Sequence, residues 1–194
     1  MSALQDPDGP PPGERWRIEV VLEDLQATAA FAGDLAVLLG RGDLLVLTGG
    51  LGAGKTTLTQ SLGEALDVTG RISSPTFIMS RVHRARDAGP DLVHVDAYRT
   101  DSAGLESLDL SSTMAEAVTV VEWGRGMVEN TLVGPGGSWL DLELIREDLP
   151  VKPSAPAAPE IITDFSESEA DVLGSRRRAV LRGYGPAWAD PPAL

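Results

Sequence analysis

The sequence contains no cysteine and only two histidines. The absence of cysteine excludes disulfide scaffolds, cysteine-ligated zinc, iron–sulfur clusters and thiol catalysis. Two histidines are too few for a histidine metal site, so the chemistry must rely on other oxygen and nitrogen groups. No apolar stretch reaches the roughly 18 residues that a membrane span needs. The N-terminal segment 1–14 also lacks the basic start and apolar run of a signal peptide. We therefore expect a soluble, cytoplasmic protein with no membrane partner.

Basic residues are also scarce relative to acids. There are 16 lysines and arginines against 29 acids, which gives a net charge of −13 and a sequence pI near 4.5. Such an acidic chain is not expected to bind bare nucleic acid or anionic lipid by itself. Any role on nucleic acid would therefore be indirect and would require a partner.

The remaining composition is typical of a globular chain. The sequence has 194 residues, 42% of them hydrophobic and 23% charged, whereas an average domain has about 150 residues. We expect one domain with extensions rather than two. Composition predicts four segments: a disordered, acidic and proline-rich tail at 1–14, a folded domain at 15–146, a linker or insertion rich in proline and acids at 147–175, and a C-terminal strand and tail at 176–194.

Hydrophobic patterning predicts alternating strands and helices. Strands are predicted at 15–22, 44–48, 77–83, 92–96, 117–122, 139–145 and 179–182. Helices are predicted at 24–39, 54–66 and, as a short piece, 104–110. The strict alternation in 139–145 predicts a strand with one exposed face. This order favours an α/β fold, a mostly parallel sheet flanked by helices, with an antiparallel hairpin near 77–96.

The strongest motif lies between the second predicted strand and the second long helix. Residues 49–56 read GGLGAGKT and satisfy the pattern G-x-x-x-x-G-K-[ST]. Glycines let the backbone wrap closely around phosphate oxygens at a helix N-terminus. Lys55 would place a charge near the β- and γ-phosphates, Thr56 would ligate magnesium, and Thr57 can reach the α-phosphate. The motif predicts a nucleoside triphosphate site, and a structural glycine-rich turn is the alternative.

Two acids stand at the ends of predicted strands. Asp96 ends the run LVHVD, and Glu122 ends the run VTVVE. Open α/β sheets bind ligands at the carboxyl ends of their strands, where a P-loop site needs an acid to hold magnesium or orient water. Either residue could serve, and we expect both to line the site. A solvated carboxylate at a strand end is the alternative for each.

Four motifs, in order, resemble the TsaE family, the P-loop ATPase subunit of bacterial tRNA threonylcarbamoyladenosine synthesis. They are LGAGKTT at 51–57, SPTF at 74–77, HVDAYR at 94–99 and VEW at 121–123. Many NTPases share the P-loop, but the four motifs together at these spacings are specific to this family. The resemblance extends over residues 18–146 and implies a P-loop NTPase-like fold.

The resemblance implies a role for each matching residue. Lys55 would bind the phosphates during catalysis, while Thr56 and Glu122 would hold Mg²⁺. Thr76 would sense the γ-phosphate from a switch loop, and Asp96 would position water or metal. The residues expected to contact ATP are the P-loop and one aromatic beside the nucleotide, namely Leu51, Gly52, Ala53, Gly54, Lys55, Thr56, Thr57 and Trp123.

The resemblance also implies the function. The chain would be an ATP hydrolase, weak alone, that drives the conformational cycle of a tRNA-modifying complex. Its partners would be TsaB-like and TsaD-like proteins, which perform the modification, so this chain would meet tRNA only through the complex. Two alternatives use the same P-loop. One is a small-molecule or nucleoside kinase, with the arginine-rich loop 81–86 as its lid candidate, and the other is an assembly switch with negligible turnover.

Several residues outside the P-loop have two interpretations. We expect His83 and His94 to be structural, because a lone histidine is seldom a ligand. Arg125 would either neutralise phosphate or contact a partner, or it would be solvated. Trp123 could pack on the sheet instead of the nucleotide. The run 176–178 of three arginines could bind RNA phosphates, although the acids that precede it favour pairing within the chain.

Overall fold

The computed structural model describes residues 9–74, 80–98, 104, 110–147 and 176–194. The proposed switch residue Thr76 lies outside the described residues, as do Arg99 and most of the predicted linker. The described chain forms one seven-stranded sheet with helices packed against it.

The strands are β1 Glu14–Leu22, β2 Leu44–Thr48, β3 Ser80–His83, β4 Asp91–Asp96, β5 Ala117–Glu122, β6 Trp139–Arg146 and β7 Arg177–Tyr184. The α-helices are α1 Leu25–Leu38, α2 Lys55–Ala65 and α3 Ser111–Met114. A π-helical turn spans Glu129–Val133, and a 3-10 turn spans Pro186–Trp188. Helix α1 begins where Asp24 accepts the Ala27 N–H at 2.8 Å, so a side-chain cap defines its start.

The sheet combines a parallel centre with antiparallel edges. Its strand order is β1-β7-β6-β2-β5-β4-β3. The four central strands, β6, β2, β5 and β4, run parallel, while β7 and β1 on one side and β3 on the other are antiparallel to their neighbours. This confirms the predicted α/β fold and the hairpin near 77–96.

The core lies on both faces of this sheet. On one face, α1 and α2 cover a cluster that includes Leu35, Leu58 and Leu62, each 0% exposed. On the other face, a second cluster includes Val46, Val95 and further apolar side chains of β5 and the segment 110–128. Strands β2 and β5 are covered on both faces. This burial explains why both sequences consist mainly of apolar residues without alternation.

The sheet brings the predicted site residues to one edge. Strand β2 ends at Thr48, and the glycine-rich segment 49–56, named the P-loop here after its sequence motif, leads from it into α2. In the parallel pair β4 and β5, Asp96 stands directly beside Glu122. The acids and the P-loop therefore meet at the carboxyl edge of the central strands.

Strand β6 is more deeply buried than its sequence pattern predicts. The expectation that β6 has one exposed face is wrong, because Trp139, Leu140, Asp141 and Leu142 are all buried. The alternating polar residue Asp141 is covered by two arginines instead of solvent.

Of the predicted helix 104–110, only Gly104 and Leu110 are among the described residues, and α3 begins just after them. No helix in the described ranges is long and apolar enough to span a bilayer.

Candidate nucleotide and metal site

The P-loop backbone adopts conformations that favour glycine at three positions. Gly49, Gly52 and Gly54 have φ values of 144°, 73° and 95°. A Cβ atom on Gly49 would lie 2.4 Å from the Leu144 carbonyl oxygen, and one on Gly54 would lie 2.9 Å from Nε of Arg177. Side chains at these two positions would strain the backbone and collide with β6 or β7. The glycines therefore let the chain turn from β2 into α2 while it stays packed on the sheet.

Helix α2 begins at the P-loop without a side-chain cap. Gly54 is its N-cap residue, and the first intrahelical bond to Gly54 comes from the Leu58 N–H at 2.9 Å. The N–H groups of the first helical turn have no acceptor within the helix. Together with the helix dipole, they make this end suited to an anion such as phosphate.

Two backbone carbonyl groups of the loop hold the Lys55 side chain over it. Its side-chain Nζ donates to the carbonyl oxygens of Gly49 and Gly50, both at 2.9 Å. The same Nζ lies 3.7 Å from the centre of the Trp123 ring, in cation–π contact. Lys55 is only 5% exposed, so its charge is placed close to the loop rather than in bulk solvent.

Trp123 occupies a strained turn directly after Glu122. Its φ of 63° lies in the left-handed region, which bulky residues seldom adopt. The backbone N–H of Trp123 donates to the Leu47 carbonyl at 3.0 Å, and the centre of its ring lies 5.2 Å from the centre of the Tyr98 ring. Strained backbone of this kind concentrates at functional sites. The turn places the indole ring beside Lys55 at the mouth of the P-loop.

Thr56, Glu122 and His94 form a hydrogen-bonded chain. The Thr56 hydroxyl donates to Glu122 and lies 3.0 Å from Oε1 and 3.2 Å from Oε2. Nε2 of His94 lies 2.8 Å from Oε1 of the same carboxylate. Because a carboxylate only accepts, Nε2 of His94 carries the proton. We expected His94 to be structural. Its position in β4, two residues before Asp96 and on the same face of the strand, was the signal in the sequence that it would lie near the site.

The Thr56 hydroxyl and the Glu122 carboxylate supply oxygen atoms, the type of ligand that Mg²⁺ prefers. Mg²⁺ prefers six oxygens at about 2.1 Å, which places adjacent ligands about 3.0 Å apart. The Thr56 hydroxyl and Oε1 of Glu122 are 3.0 Å apart. No group of three or more His, Cys, Asp or Glu residues that could hold a metal occurs in the described part of the chain. A cation here would complete its shell with phosphate and water oxygens, which is usual for Mg²⁺.

Asp96 is held next to this pair by other groups. Its Oδ2 accepts from the Ser74 hydroxyl at 3.2 Å, and its Oδ1 accepts from the Tyr98 N–H at 3.0 Å. Asp96 is 6% exposed. The structure therefore joins Thr56 to Glu122, and it joins Asp96 to the loop that leads towards residue 76.

Arg125 belongs to a buried ionic network behind the site. Of the two alternatives for Arg125, the solvated side chain is wrong, since this side chain is 6% exposed. Its Nε and Nη2 donate to Asp141 at 2.9 and 2.6 Å, and Arg182 donates to Asp141 at 2.9 Å and to Glu143 at 2.8 Å. Burial would lower the pKa of Arg125, but bonding to Asp141 and the charge of Asp141 outweigh burial and raise it. The network joins the turn after Glu122 to strands β6 and β7.

The three arginines at the start of β7 are engaged within the protein. Arg176 lies 3.1 Å from Glu147, and Arg178 lies 3.2 Å from Glu19. Arg177 is 2% exposed, and its Nε donates to the Ala53 carbonyl at 2.9 Å. These arginines thus pair within the chain, but with Glu147, Glu19 and the Ala53 carbonyl; the acids at 160–171 that suggested the pairing lie outside the described residues. The contact with the P-loop was missed, because no local pattern connects residues 124 positions apart.

The arginines of the segment 81–86 are also paired in part, and residues 81–83 belong to strand β3 and not to a loop. Arg84 forms an ion pair with Asp91, and Arg86 lies 3.1 Å from Asp67. Both pairs lie near the β3–β4 hairpin and the end of α2. They brace this edge of the sheet and offer no observation in favour of a kinase lid.

Comparison with known proteins identifies relatives. The family model described as threonylcarbamoyl adenosine biosynthesis protein TsaE matches residues 22–149. A Streptomyces coelicolor protein named tRNA threonylcarbamoyladenosine biosynthesis protein TsaE is 58% identical over 98 residues, which are 49% of this chain and 66% of that protein. The protein of the same name from Mycobacterium leprae is 45% identical over 118 residues, which are 57% of this chain and 73% of that protein. The chain thus covers just under two thirds of the Streptomyces relative.

A solved structure supports the fold independently. The crystal structure of Bacillus subtilis YdiB matches with a TM-score of 0.58 and 24% identity, and the match covers 88% of this chain and 87% of that chain. At this identity the likeness bears on the fold alone. The family model, in contrast, matches more than half of the chain, including the P-loop, Asp96 and Glu122. The chain therefore belongs to the TsaE family of threonylcarbamoyl adenosine biosynthesis proteins.

Proposed function

We propose that this protein is a magnesium-dependent ATPase that supports the formation of tRNA threonylcarbamoyladenosine by driving the conformational cycle of a multi-protein complex. The observation that carries the proposal is the bond between Thr56 and Glu122 at the uncapped start of α2. This bond places the oxygens of Thr56 and Glu122, which would bind a cation, next to the helix start that would bind phosphate. Membership of the TsaE family supports the assignment to tRNA modification.

In this proposal the P-loop residues 51–57 bind the phosphates of ATP through their N–H groups. Lys55 exchanges the Gly49 and Gly50 carbonyls for phosphate oxygens, because an anion is a stronger partner than a neutral carbonyl. Trp123, which already touches the Lys55 ammonium, borders the nucleotide. Binding would therefore disturb the contact between Lys55 and the indole ring.

Thr56 and Glu122 would hold Mg²⁺, which supplies positive charge to the β- and γ-phosphate oxygens. The direct Thr56 contact favours Glu122 over Asp96 as the principal protein carboxylate ligand. Asp96 would orient the attacking water from the neighbouring strand end. Thr76 would sense the γ-phosphate, as the family resemblance implies.

The proposed partners are TsaB-like and TsaD-like proteins, which would carry out the modification. A chain with a net charge of −13 is repelled by RNA phosphates. The tRNA would therefore be reached through the complex. The cytoplasm is the compartment in which such a complex would act.

The experiment that tests this proposal measures phosphate release from ATP and Mg²⁺ by the protein alone and with a TsaB–TsaD pair. Lys55→Ala should lower release by about a hundredfold or more, because it removes a charge from the reacting phosphates. Lys152→Ala is the matched control, since Lys152 is the only other lysine. We expect low activity alone and a clear rise with the pair.

Other outcomes would select a different function. Transfer of labelled γ-phosphate to an added alcohol would show a kinase. ATP binding without turnover in the presence of both partners would show an assembly switch. Full phosphate release by a folded Lys55→Ala protein would refute the site itself.

A further inference from the structure

The P-loop rests on the two strands that lie furthest from it in sequence. Its first glycine, Gly49, packs on the Leu144 carbonyl of β6, where a Cβ atom would approach to 2.4 Å. Gly54, which precedes Lys55, packs on the Arg177 side chain of β7, with Nε 2.9 Å and Cζ 3.5 Å from the position of a Cβ atom. The loop is therefore seated against β6 at one end and β7 at the other.

Arg177 reaches the loop from the helix-covered face of the sheet. Residues alternate between faces along a strand, and Ala179 and Leu181, which share its face, belong to the core under α1 and α2. Arg177 is 2% exposed, whereas the side chain of Arg178, on the opposite face, is 37% exposed and pairs with Glu19. The two neighbouring arginines thus have different surroundings.

The hydrogen bond from Arg177 reaches the backbone at the tight turn of the loop. Its Nε donates at 2.9 Å to the carbonyl oxygen of Ala53, a residue that is 2% exposed. The Ala53 N–H in turn donates to the Gly50 carbonyl at 3.2 Å and closes the tight turn of the loop. A buried carbonyl that loses its donor is costly, so the turn depends on this bond.

We propose that Arg177 is a positioning residue that holds the P-loop in its phosphate-binding conformation through the Nε–H···O=C bond to Ala53. The inference rests on the proposed ATPase function, because the loop it holds is the proposed ATP cradle. It extends that function to the last strand of the chain. Strand β7 must then be in place beside β6 before the loop adopts its binding shape.

Two substitutions separate the hydrogen bond from the charge. Arg177→Lys keeps the charge but places a methylene group where Nε lies. Arg177→Gln loses the charge but places an amide nitrogen at the Nε position. Arg178→Lys and Arg178→Gln are the matched controls on the other face. If the buried lysine prevents folding, Arg177→Met replaces it, since methionine also lacks the donor and carries no charge.

The first readout is hydrogen exchange of the Ala53 amide without nucleotide, compared with amides of β2 in the same molecule. Loss of the bond should raise Ala53 exchange about tenfold in Arg177→Lys relative to β2. Arg177→Gln should stay within about threefold of the wild type, as should both Arg178 variants. The second readout is ATP affinity by calorimetry, which should fall about tenfold in Arg177→Lys and recover in Arg177→Gln.

Unchanged Ala53 exchange in Arg177→Lys would overturn the proposal. So would loosening in the glutamine variant with a normal loop in the lysine variant, because charge and not the bond would then hold the loop. If the wild type binds no ATP while Ala53 exchange responds as expected, the proposed function fails but the positioning role stands. If the wild type binds ATP and the lysine variant binds it equally well, the positioning role fails alone.

Discussion

Glu122 lies within hydrogen-bond distance of two side chains from other elements, the half-buried Thr56 and the buried His94. Thr56 approaches from α2, and His94 approaches from β4 at 2.8 Å. Among the described residues, Nδ1 of His94 has no hydrogen-bond partner. The contact that His94 makes in the described structure is therefore with the Glu122 carboxylate.

Removing the His94 donor should weaken the proposed metal site. We expect His94→Leu to raise the Mg²⁺ concentration for half-maximal ATP turnover about tenfold or more, as for other groups that orient a ligand. His94→Gln can supply an amide donor in a similar position and should stay within about threefold of the wild type. A magnesium titration of all three proteins measures this. Identical curves for the leucine variant and the wild type would contradict the role.

His83 makes a separate, pH-dependent contribution to stability. Burial lowers the pKa of His83, and its bond to the Thr69 carbonyl only partly opposes this effect. At His83 the folded protein therefore binds fewer protons than the unfolded chain as the pH falls through about 6.5, so the contribution of this residue to the free energy of unfolding falls as the pH decreases. His83→Gln should flatten this slope between about pH 7.5 and 5. Urea unfolding across this range tests it, and equal slopes would refute it.

At the scale of an element, α1 shows a cap that sequence reasoning could place. Its first turn is closed by Asp24, which accepts the Ala27 N–H at 2.8 Å. Asp24→Ala should lower the free energy of unfolding by about 1 kcal/mol. Asp34→Ala, in the exposed middle of the same helix, is the control and should change it by less than about 0.5 kcal/mol. Chemical denaturation of both variants would decide, and similar losses would argue against the cap.

Strand β6 shows where element-level patterning misleads. The alternation of WLDLELI is typical of a strand with one solvated face, yet Asp141 is 0% exposed. Polar residues can line a buried face when opposite charges meet them there. The alternating pattern shows which side chains are polar, but it does not show whether solvent or oppositely charged side chains will cover them.

At the scale of the whole molecule, Asp141 joins regions that are distant in sequence. It accepts from Arg125, in the turn after β5, and from Arg182 of β7. Asp141→Asn would leave two buried arginines poorly compensated and should lower the free energy of unfolding by about 3 kcal/mol. Glu147→Gln removes exposed ion pairs with Arg176 and Arg178 and should cost less than about 1 kcal/mol. Urea titration of both variants makes the comparison, and equal losses would contradict a buried network.

Much of the architecture could be predicted from local pattern. Strands β2 and β5 occupy the predicted ranges 44–48 and 117–122, because both strands are buried on both faces and their apolar runs end sharply. The α/β class follows from the alternation of strands and helices. The order of strands in the sheet could not be obtained this way, since hydrophobic periodicity identifies a strand without naming its neighbours.

The amino-acid sequence by itself determined the family, the P-loop and the strand-end acids, because these signals are contiguous or depend on a few adjacent residues. The tertiary structure alone decided which groups meet across the fold: His94 with Glu122, Arg125 with Asp141, and Arg177 with Ala53, at separations of 28, 16 and 124 residues. Such contacts depend on strand order and register. Those are properties of the assembled sheet, where burial and charge pairing act between residues that no local pattern connects.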